Sequence, residues 1–325
     1  MANHSFGGPV PMVILPPKAQ RVKIGLFLLS SALFGGTALL ESTEGGVDTY
    51  LYEDNKQLVR LVEDAAALIA SHGTEVFESF SVEGSKWLRG ERYLFVYTDQ
   101  GDSIFHPIEP ELEGQNLSQF RDIAGRPVVA RMMEIGQRPE PDAAGWLFYL
   151  WEDPWHTQPR WKASYVHKAT APDGSVFLVG SGLYDVKIEK AFIEEAVDKA
   201  AQLIQTLGKE AAFTELRDIA SAYHVLDAYI RVTDEEGNVV VDPLFPNLEK
   251  TRNVSEVSDL VGKKVFQEAK THLQQREASW TSFTVPKRGS GLPEKRLGYT
   301  RRVNVGDETF YVGAAYVPAS PLWLK

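Results

Sequence analysis

An internal repeat limits this chain to architectures that can be built twice. Residues 62–73, VEDAAALIASHG, align with residues 197–208, VDKAAQLIQTLG, at an offset of 135. Residues 95–101, FVYTDQG, then align with residues 230–237, IRVTDEEG, and Asp99 and Asp234 keep the offset of 135. His106-Pro107 with Pro110 matches Asp242-Pro243 with Pro246, and DIAG at 122–125 matches DLVG at 259–262. Tyr165 matches Tyr299, and FLVG at 177–180 matches FYVG at 310–313. The offsets drift only between 133 and 137, as small loop insertions produce. The chain reads as a duplicated domain, with copies over residues 46–186 and 187–325 after a leader over residues 1–45.

Each copy carries the same order of elements. A long amphipathic helix opens it: Leu58, Leu61, Val62, Ala65 and Leu68 share one face, as do Phe192, Ala196, Ala200, Leu203 and Leu207. An alternating strand, YLFVYT, turns through Asp99-Gln-Gly101 into a second strand, SIFHP. A proline-rich loop, a short helix around 122–137 and three strands follow: GWLFYLW, RWKASYV and SVFLVGSGLY. This pattern predicts an α+β fold, an antiparallel sheet with helices packed on one side.

Composition removes several functional classes. A length of 325 residues suits two domains, and 43% hydrophobic residues supply enough apolar material for their cores. A net charge of −10 argues against nucleic acid and anionic lipid as partners, and any anionic ligand needs a local basic site. The chain has no cysteine, which excludes thiolate metal sites, iron–sulfur clusters, cysteine nucleophiles and disulfides. The aspartate–glycine turns lack the alternating oxygen ligands of a calcium loop. No G-x-S-x-G elbow, P-loop, H-E-x-x-H motif or G-x-G-x-x-G after a strand occurs. Glu152, Asp153 and His156 lie close in sequence but read as a solvated loop. The chain is therefore not expected to be an enzyme, and no cofactor or metal is expected.

The N-terminal region suggests export. Lys18, Arg21 and Lys23 precede the apolar run IGLFLLSSALFGGTALL at residues 24–40, followed by polar STEGG. A basic flank before an apolar core reads as a signal, and without a clear A-x-A site it reads equally as a retained membrane anchor. A buried core helix is the alternative for this run. With the positive flank on the cytoplasmic side, everything after residue 41 is extracytoplasmic: periplasmic, and either secreted or anchored.

Residues 145–167, GWLFYLWEDPWHTQPRWKASYVH, concentrate four of the seven tryptophans, two tyrosines and Lys162. With YLFVYTDQGDSIFHPIEPELEGQN before them and LVGSGLYD after, these motifs resemble, in order and spacing, the single Cache domain of bacterial chemoreceptors and sensor kinases. The first copy matches almost throughout; the second keeps the framework and only fragments of the motifs. The resemblance covers about residues 46–320 as tandem PAS-like sensor domains, and it implies binding of a small molecule outside the cytoplasm.

Strand alternation puts Tyr149 and Trp151 on one face, and Tyr93, Phe95 and Tyr97 on one face of their own strand. Aromatic walls with one ammonium and a few hydroxyls suit a short carboxylate. The expected ligand-binding residues are Tyr149, Trp151, Lys162, Tyr165, His106, Arg131 and Tyr97, for a short organic acid. Lys162 and Tyr165 are three apart, so they share a face only if the strand bends or carries a bulge. For Lys162 and Arg131 the alternative is a solvated surface cation. For Tyr149 and Trp151 it is plain core, and for His106 a loop cap. Asp185 is either a partner for a ligand amine or a turn residue.

Where the resembled pattern has W-P-K-P, this chain has Trp151-Glu-Asp-Pro154, so Asp153 replaces a lysine and makes an amino acid or amine a competing ligand. The second copy has Asp242 for His106 and Phe283-Thr-Val285 for Tyr149-Leu-Trp151, while retaining Lys295 and Tyr299. It is expected to be structural or interactional. The chain would pass ligand occupancy to a signalling or transport partner in trans; a scaffold without a small ligand is the alternative.

Overall fold

The structure is a computed structural model that describes residues 47–153 and 156–319. The apolar run 24–40 and Pro154 lie outside the described residues. Among the described residues, no helix is long and apolar enough to cross a membrane.

Helix α1 (Glu53–His72) leads through short α2 (Phe77–Phe80) to β1 (Leu88–Arg89), β2 (Arg92–Thr98) and β3 (Ser103–Phe105). Helix α3 (Val128–Gly136) precedes β4 (Ala144–Trp151), β5 (Arg160–Thr170) and β6 (Val176–Tyr184). The order then recurs with α4 (Lys190–Leu207), α5 (Lys209–Arg217), β7 (Arg231–Asp234) and β8 (Val239–Val241). It ends with α6 (Val265–His272), β9 (Ala278–Pro286), β10 (Pro293–Val305) and β11 (Glu308–Tyr316).

Two antiparallel sheets result. The first runs β1-β2-β6-β5-β4 with β3 paired to β2, and the second runs β8-β7-β11-β10-β9. The central order is thus the same in both, β2-β6-β5-β4 and β7-β11-β10-β9. The repeated sequence motifs make repeated hydrogen bonds. The Asp122 carboxylate accepts backbone N–H groups from Ala124, Arg126 and Leu150, tying its loop to edge strand β4. Asp259 accepts the same set from Val261, Lys263 and Thr284, tying its loop to β9. Gly101 and Gly237, each closing its aspartate turn, have φ of 87° and 88°, which an L side chain would strain.

The expectation of helices on one side only is corrected. Helix α1 packs on β5 and β6, and α3 packs on the opposite face against β4, β5 and β6. The cause is visible in β2, where every residue from Tyr93 to Tyr97 is buried, so both faces carry large apolar side chains that need cover. On the helix α1 face, which we call the inner face, Leu58, Val62 and Ile69 are fully buried against Leu94, Val96 and Val179. Each such aliphatic side chain contributes roughly 1.5–3 kcal/mol by leaving water. The outer face holds a separate core in which Val128, Val129, Met132 and Ile135 of α3 cover Phe95, Tyr97, Tyr149 and Val166.

Candidate functional site

The pleat decides which candidate residues meet. Along β5 the register runs unbroken from Arg160 to His167 against β4 and from Lys162 to Thr170 against β6, placing Lys162 between Tyr149 of β4 and Tyr184 of β6. With no bulge, residues three apart fall on opposite faces. Lys162 therefore lies on the outer face with Tyr149, and Tyr165 on the inner face, where its ring packs on Trp146 at 5.5 Å. The structure does not bring Tyr165 to the other candidates.

Lys162 is 1% exposed, although it is a lysine. Its side chain lies across the sheet over Gly182: a Cβ at position 182 would stand 2.5 Å from Lys162 Cε. Phe95 lies likewise over Gly180, at 2.5 Å. These two close approaches are what the Gly180-Ser-Gly182 step permits. Lys162 Nζ donates a hydrogen bond of 2.7 Å to the Tyr93 hydroxyl. Aromatic rings surround it, with Tyr93 at 4.3 Å, Tyr184 at 5.3 Å, Trp151 at 5.8 Å and Phe95 at 5.9 Å. Ring faces attract an ammonium, but they replace water poorly. Burial lowers the Lys162 pKa to about 7, against the opposing pull of the Glu109 and Asp153 carboxylates.

His106, 1% exposed, sits edge-on to Tyr93 at 5.2 Å. Its Nδ1 accepts the backbone N–H of Glu109 at 3.0 Å, so the ring proton of the neutral form sits on Nε2, 3.4 Å from Glu109 Oε2. Burial, and then the Lys162 charge, lower its pKa to about 3, so it stays neutral at physiological pH. Trp151 Nε1 donates to the same Glu109 oxygen at 3.1 Å. Glu109 thus pins the proline-rich loop across the end of β4, and burial raises its pKa. Tyr149 shares a hydrogen bond of 2.8 Å with Ser164. The phenols of Tyr93, Tyr97, Tyr149 and Tyr184 are all raised by burial, so the site offers neutral hydroxyls around one ammonium.

The remaining candidates separate. Tyr97 shares the outer core but touches Phe95, at 5.8 Å, on the side away from Lys162. Arg131, on α3, points to Glu134 at 3.5 Å and Glu215 at 4.0 Å. It lines a cavity of about 380 Å³ between α3, β4, α4 and residues 220–225, which Tyr149 also lines and Lys162 does not. Asp153 is buried, with Arg160 and His156 bonded to its Oδ2. Asp185 also bonds Arg160 and takes a turn conformation with φ of 55°. Among the described residues, no group of three His, Asp or Glu side chains is placed to hold a metal.

Sequence reasoning missed Glu109 and left Tyr93 and Tyr184 off the candidate list. Tyr93 has the parity of Phe95 and Tyr97, and Tyr184 the parity of Gly182, so both were readable from alternation. Glu109 lies in an irregular loop and gave no such signal.

The second sheet aligns residue by residue. Tyr299 pairs across with Trp280 as Tyr165 pairs with Trp146, which sets Arg296 opposite Phe283 as Lys162 is set opposite Tyr149. Arg296, rather than Lys295, holds the register position of Lys162. Gly313 stands between Arg231 and Thr300, as Gly180 stands between Phe95 and Val166. The rings of Tyr149, Trp151 and Phe95 are thus replaced by Phe283, Val285 and Arg231.

Comparison with known proteins places this geometry. The family model dCache_2, a Cache domain, matches residues 79–314. An alignment 160 positions long with the methyl-accepting chemotaxis protein McpP of Pseudomonas putida is 29% identical and spans 46% of this chain and 28% of that receptor. The chain therefore matches less than a third of the length of this curated relative. A solved Cache chemosensory domain, described for carboxylic acid recognition, is 24% identical with a TM-score of 0.34, over 41% of this chain and 94% of that one. The ligand-binding domain of the Pseudomonas fluorescens chemoreceptor CtaA, solved with L-alanine, is 13% identical with a TM-score of 0.29, over 86% of this chain and 96% of that one.

Proposed function

We propose that this chain, which belongs to the Cache domain family, is an extracytoplasmic sensor whose first sheet binds a short organic acid at Lys162. Cache domains are periplasmic or extracellular sensor domains of chemoreceptors. In this reading residues 46–186 form the ligand-binding copy and residues 187–325 the second copy. Residues 24–40 serve as export signal or anchor, and occupancy passes to a signalling or transport partner in trans.

One observation carries the acid reading. A fully buried ammonium is hydrogen-bonded to a neutral phenol and ringed by aromatic faces, with a lowered pKa. Such a group gains more from a small carboxylate than a solvated lysine does, because the ligand compensates a charge already taken out of water. Tyr93, Trp151 and Tyr184 ring the ammonium, and with Tyr149 and His106 they exclude water from it. The amine reading is weaker, because the Asp153 carboxylate is engaged by Arg160 and His156. A six-atom acid at about 1.5 kcal/mol per atom gains at most ~9 kcal/mol, which allows micromolar binding.

The test is calorimetric titration of acetate, propionate and L-alanine into the native chain and Lys162→Met. The native chain should bind an acid, and the variant should lose about 2–5 kcal/mol of that affinity. Because the ligand needs the charged ammonium, affinity should fall as pH rises above about 7, by up to tenfold per unit. Undiminished binding by Lys162→Met would remove the assignment. No binding of any acid by the native chain would favour the scaffold reading, for which Tyr149 and Trp151, at 3% and 8% exposure, are simply core.

A further inference from the structure

The outer face of the second sheet is open where that of the first is filled. A cavity of about 300 Å³ lies between this face and helix α6. Gly298 and Gly313 form part of its floor, and Phe266 and Phe283 form walls. Thr281, 4% exposed, lines it, and its hydroxyl has no hydrogen-bond partner among the described residues. Buried hydroxyls are nearly always bonded, so an unpartnered one in the wall of a cavity marks a place for a ligand atom.

Two guanidinium groups line the same space, Arg231 and Arg296. Arg231 Nε bonds Asp242 at 2.9 Å, and Arg296 Nε and Nη2 bond Glu294 at 3.0 and 2.6 Å. Each guanidinium has five N–H donors in a planar fork, so these pairings orient the side chains and leave other donors for a carboxylate. Asp259, also on the lining, is occupied by backbone N–H groups of Val261, Lys263 and Thr284, and is not a partner for a cation. The rim is apolar: Leu244 and Val257 line the cavity while remaining 40% and 43% exposed. Two cationic forks, an unpartnered hydroxyl and an apolar rim select a carboxylate that carries an apolar body.

We infer that the second sheet holds a separate ligand site, for an organic acid larger and more apolar than one the Lys162 site would take. Its carboxylate meets Arg231 and Arg296, and its body covers Phe283, Phe266 and the rim. The inference stands on the second sheet alone, whether or not the first binds anything.

Hexanoate, titrated into the full chain by calorimetry, tests it with Thr281→Val, Arg296→Gln and Lys162→Met. Saturable binding is expected in the native chain and in Lys162→Met, and at least tenfold weaker binding in Thr281→Val and Arg296→Gln. Without ligand, Thr281→Val should melt at or above the native temperature, which separates lost binding from lost folding. A lower melting temperature for Thr281→Val would mean that its hydroxyl is already satisfied, and would overturn the assignment. So would an absence of hexanoate binding, or binding abolished by Lys162→Met and kept in Thr281→Val.

Discussion

The two sheets share strand order, loop aspartates and a glycine on the third strand, yet their outer faces differ in what covers that floor. In the first, Gly182 is bare and Lys162 lies across it. In the second, the matching position is Ala315, paired with Gly298. A methyl there obstructs a long side chain from taking the same path, and Arg296 turns instead to Glu294. Phe95 fills the next position in the first sheet, where the second has Arg231, half in solvent and paired with the buried Asp242. One fold thus yields a closed cluster around a buried ammonium and an open cavity edged by arginines. Conserving a scaffold does not conserve the space it encloses, because that space depends on which side chains cross the floor.

The comparison breaks first at Lys162. In the unfolded chain its pKa is near 10.4, and in the folded chain about 7. Below pH 7 both states carry the charge and the fold bears the full cost of burying it. As pH rises from about 7 to 10.4, the folded chain releases a proton that the unfolded chain keeps, so stability from this group rises with pH, by up to ~1.4 kcal/mol per unit. The unliganded Lys162→Met variant should therefore be more stable than native by several kcal/mol below pH 7, with the gap closing toward pH 10. Denaturant melts at pH 6 and pH 9.5 measure this, and a variant less stable than native at pH 6 would show the ammonium to be well paired.

A smaller effect sharpens the glycine contrast. Gly182→Ala puts a methyl 2.5 Å from both Lys162 Cε and Ser164 Oγ, and should cost about 1–3 kcal/mol and reduce acid binding. Ala315→Gly, the reciprocal change, should cost at most about 1 kcal/mol. Equal losses in equilibrium unfolding would mean that the floor residue does not set the difference.

The smallest effect concerns what the sheets share. Asp122→Asn should lose about 1–2 kcal/mol, because an amide has one acceptor oxygen for backbone N–H groups that approach both carboxylate oxygens. Asp259→Asn should act in the same direction but more weakly, since that residue is half-exposed. Opposite signs would show that the loop ties are not equivalent.

Much of this was legible in the residues. The repeat located both sheets, and period-two alternation put Tyr149 and Trp151 on one face and warned that Lys162 and Tyr165 share a face only if the strand bends or bulges. The cross-strand register then set Lys162 beside Tyr149. The bulge is absent, so alternation was the better guide. Helix amphipathicity found α1 and α4, but not that α3 would cover the opposite face. That required noticing that β2 is apolar at every position from Tyr93 to Tyr97. Arg131 could not be excluded from its spacing, because where a helix residue points depends on how the helix docks. Asp153 read as a possible ligand group because Arg160, seven residues on, becomes its neighbour only when β5 returns beside β4.

The sequence by itself determined the repeated motifs, the run of alternating strands and which residues of one strand share a face, because these follow from covalent spacing and the two-residue pleat. Only the tertiary structure decided that Arg296 rather than Lys295 stands in the place of Lys162, that Glu109 reaches His106 and Trp151, and that the second sheet keeps an open cavity. Those depend on cross-strand register and on whether the neighbouring strand offers a glycine or a methyl. A single segment does not carry that information.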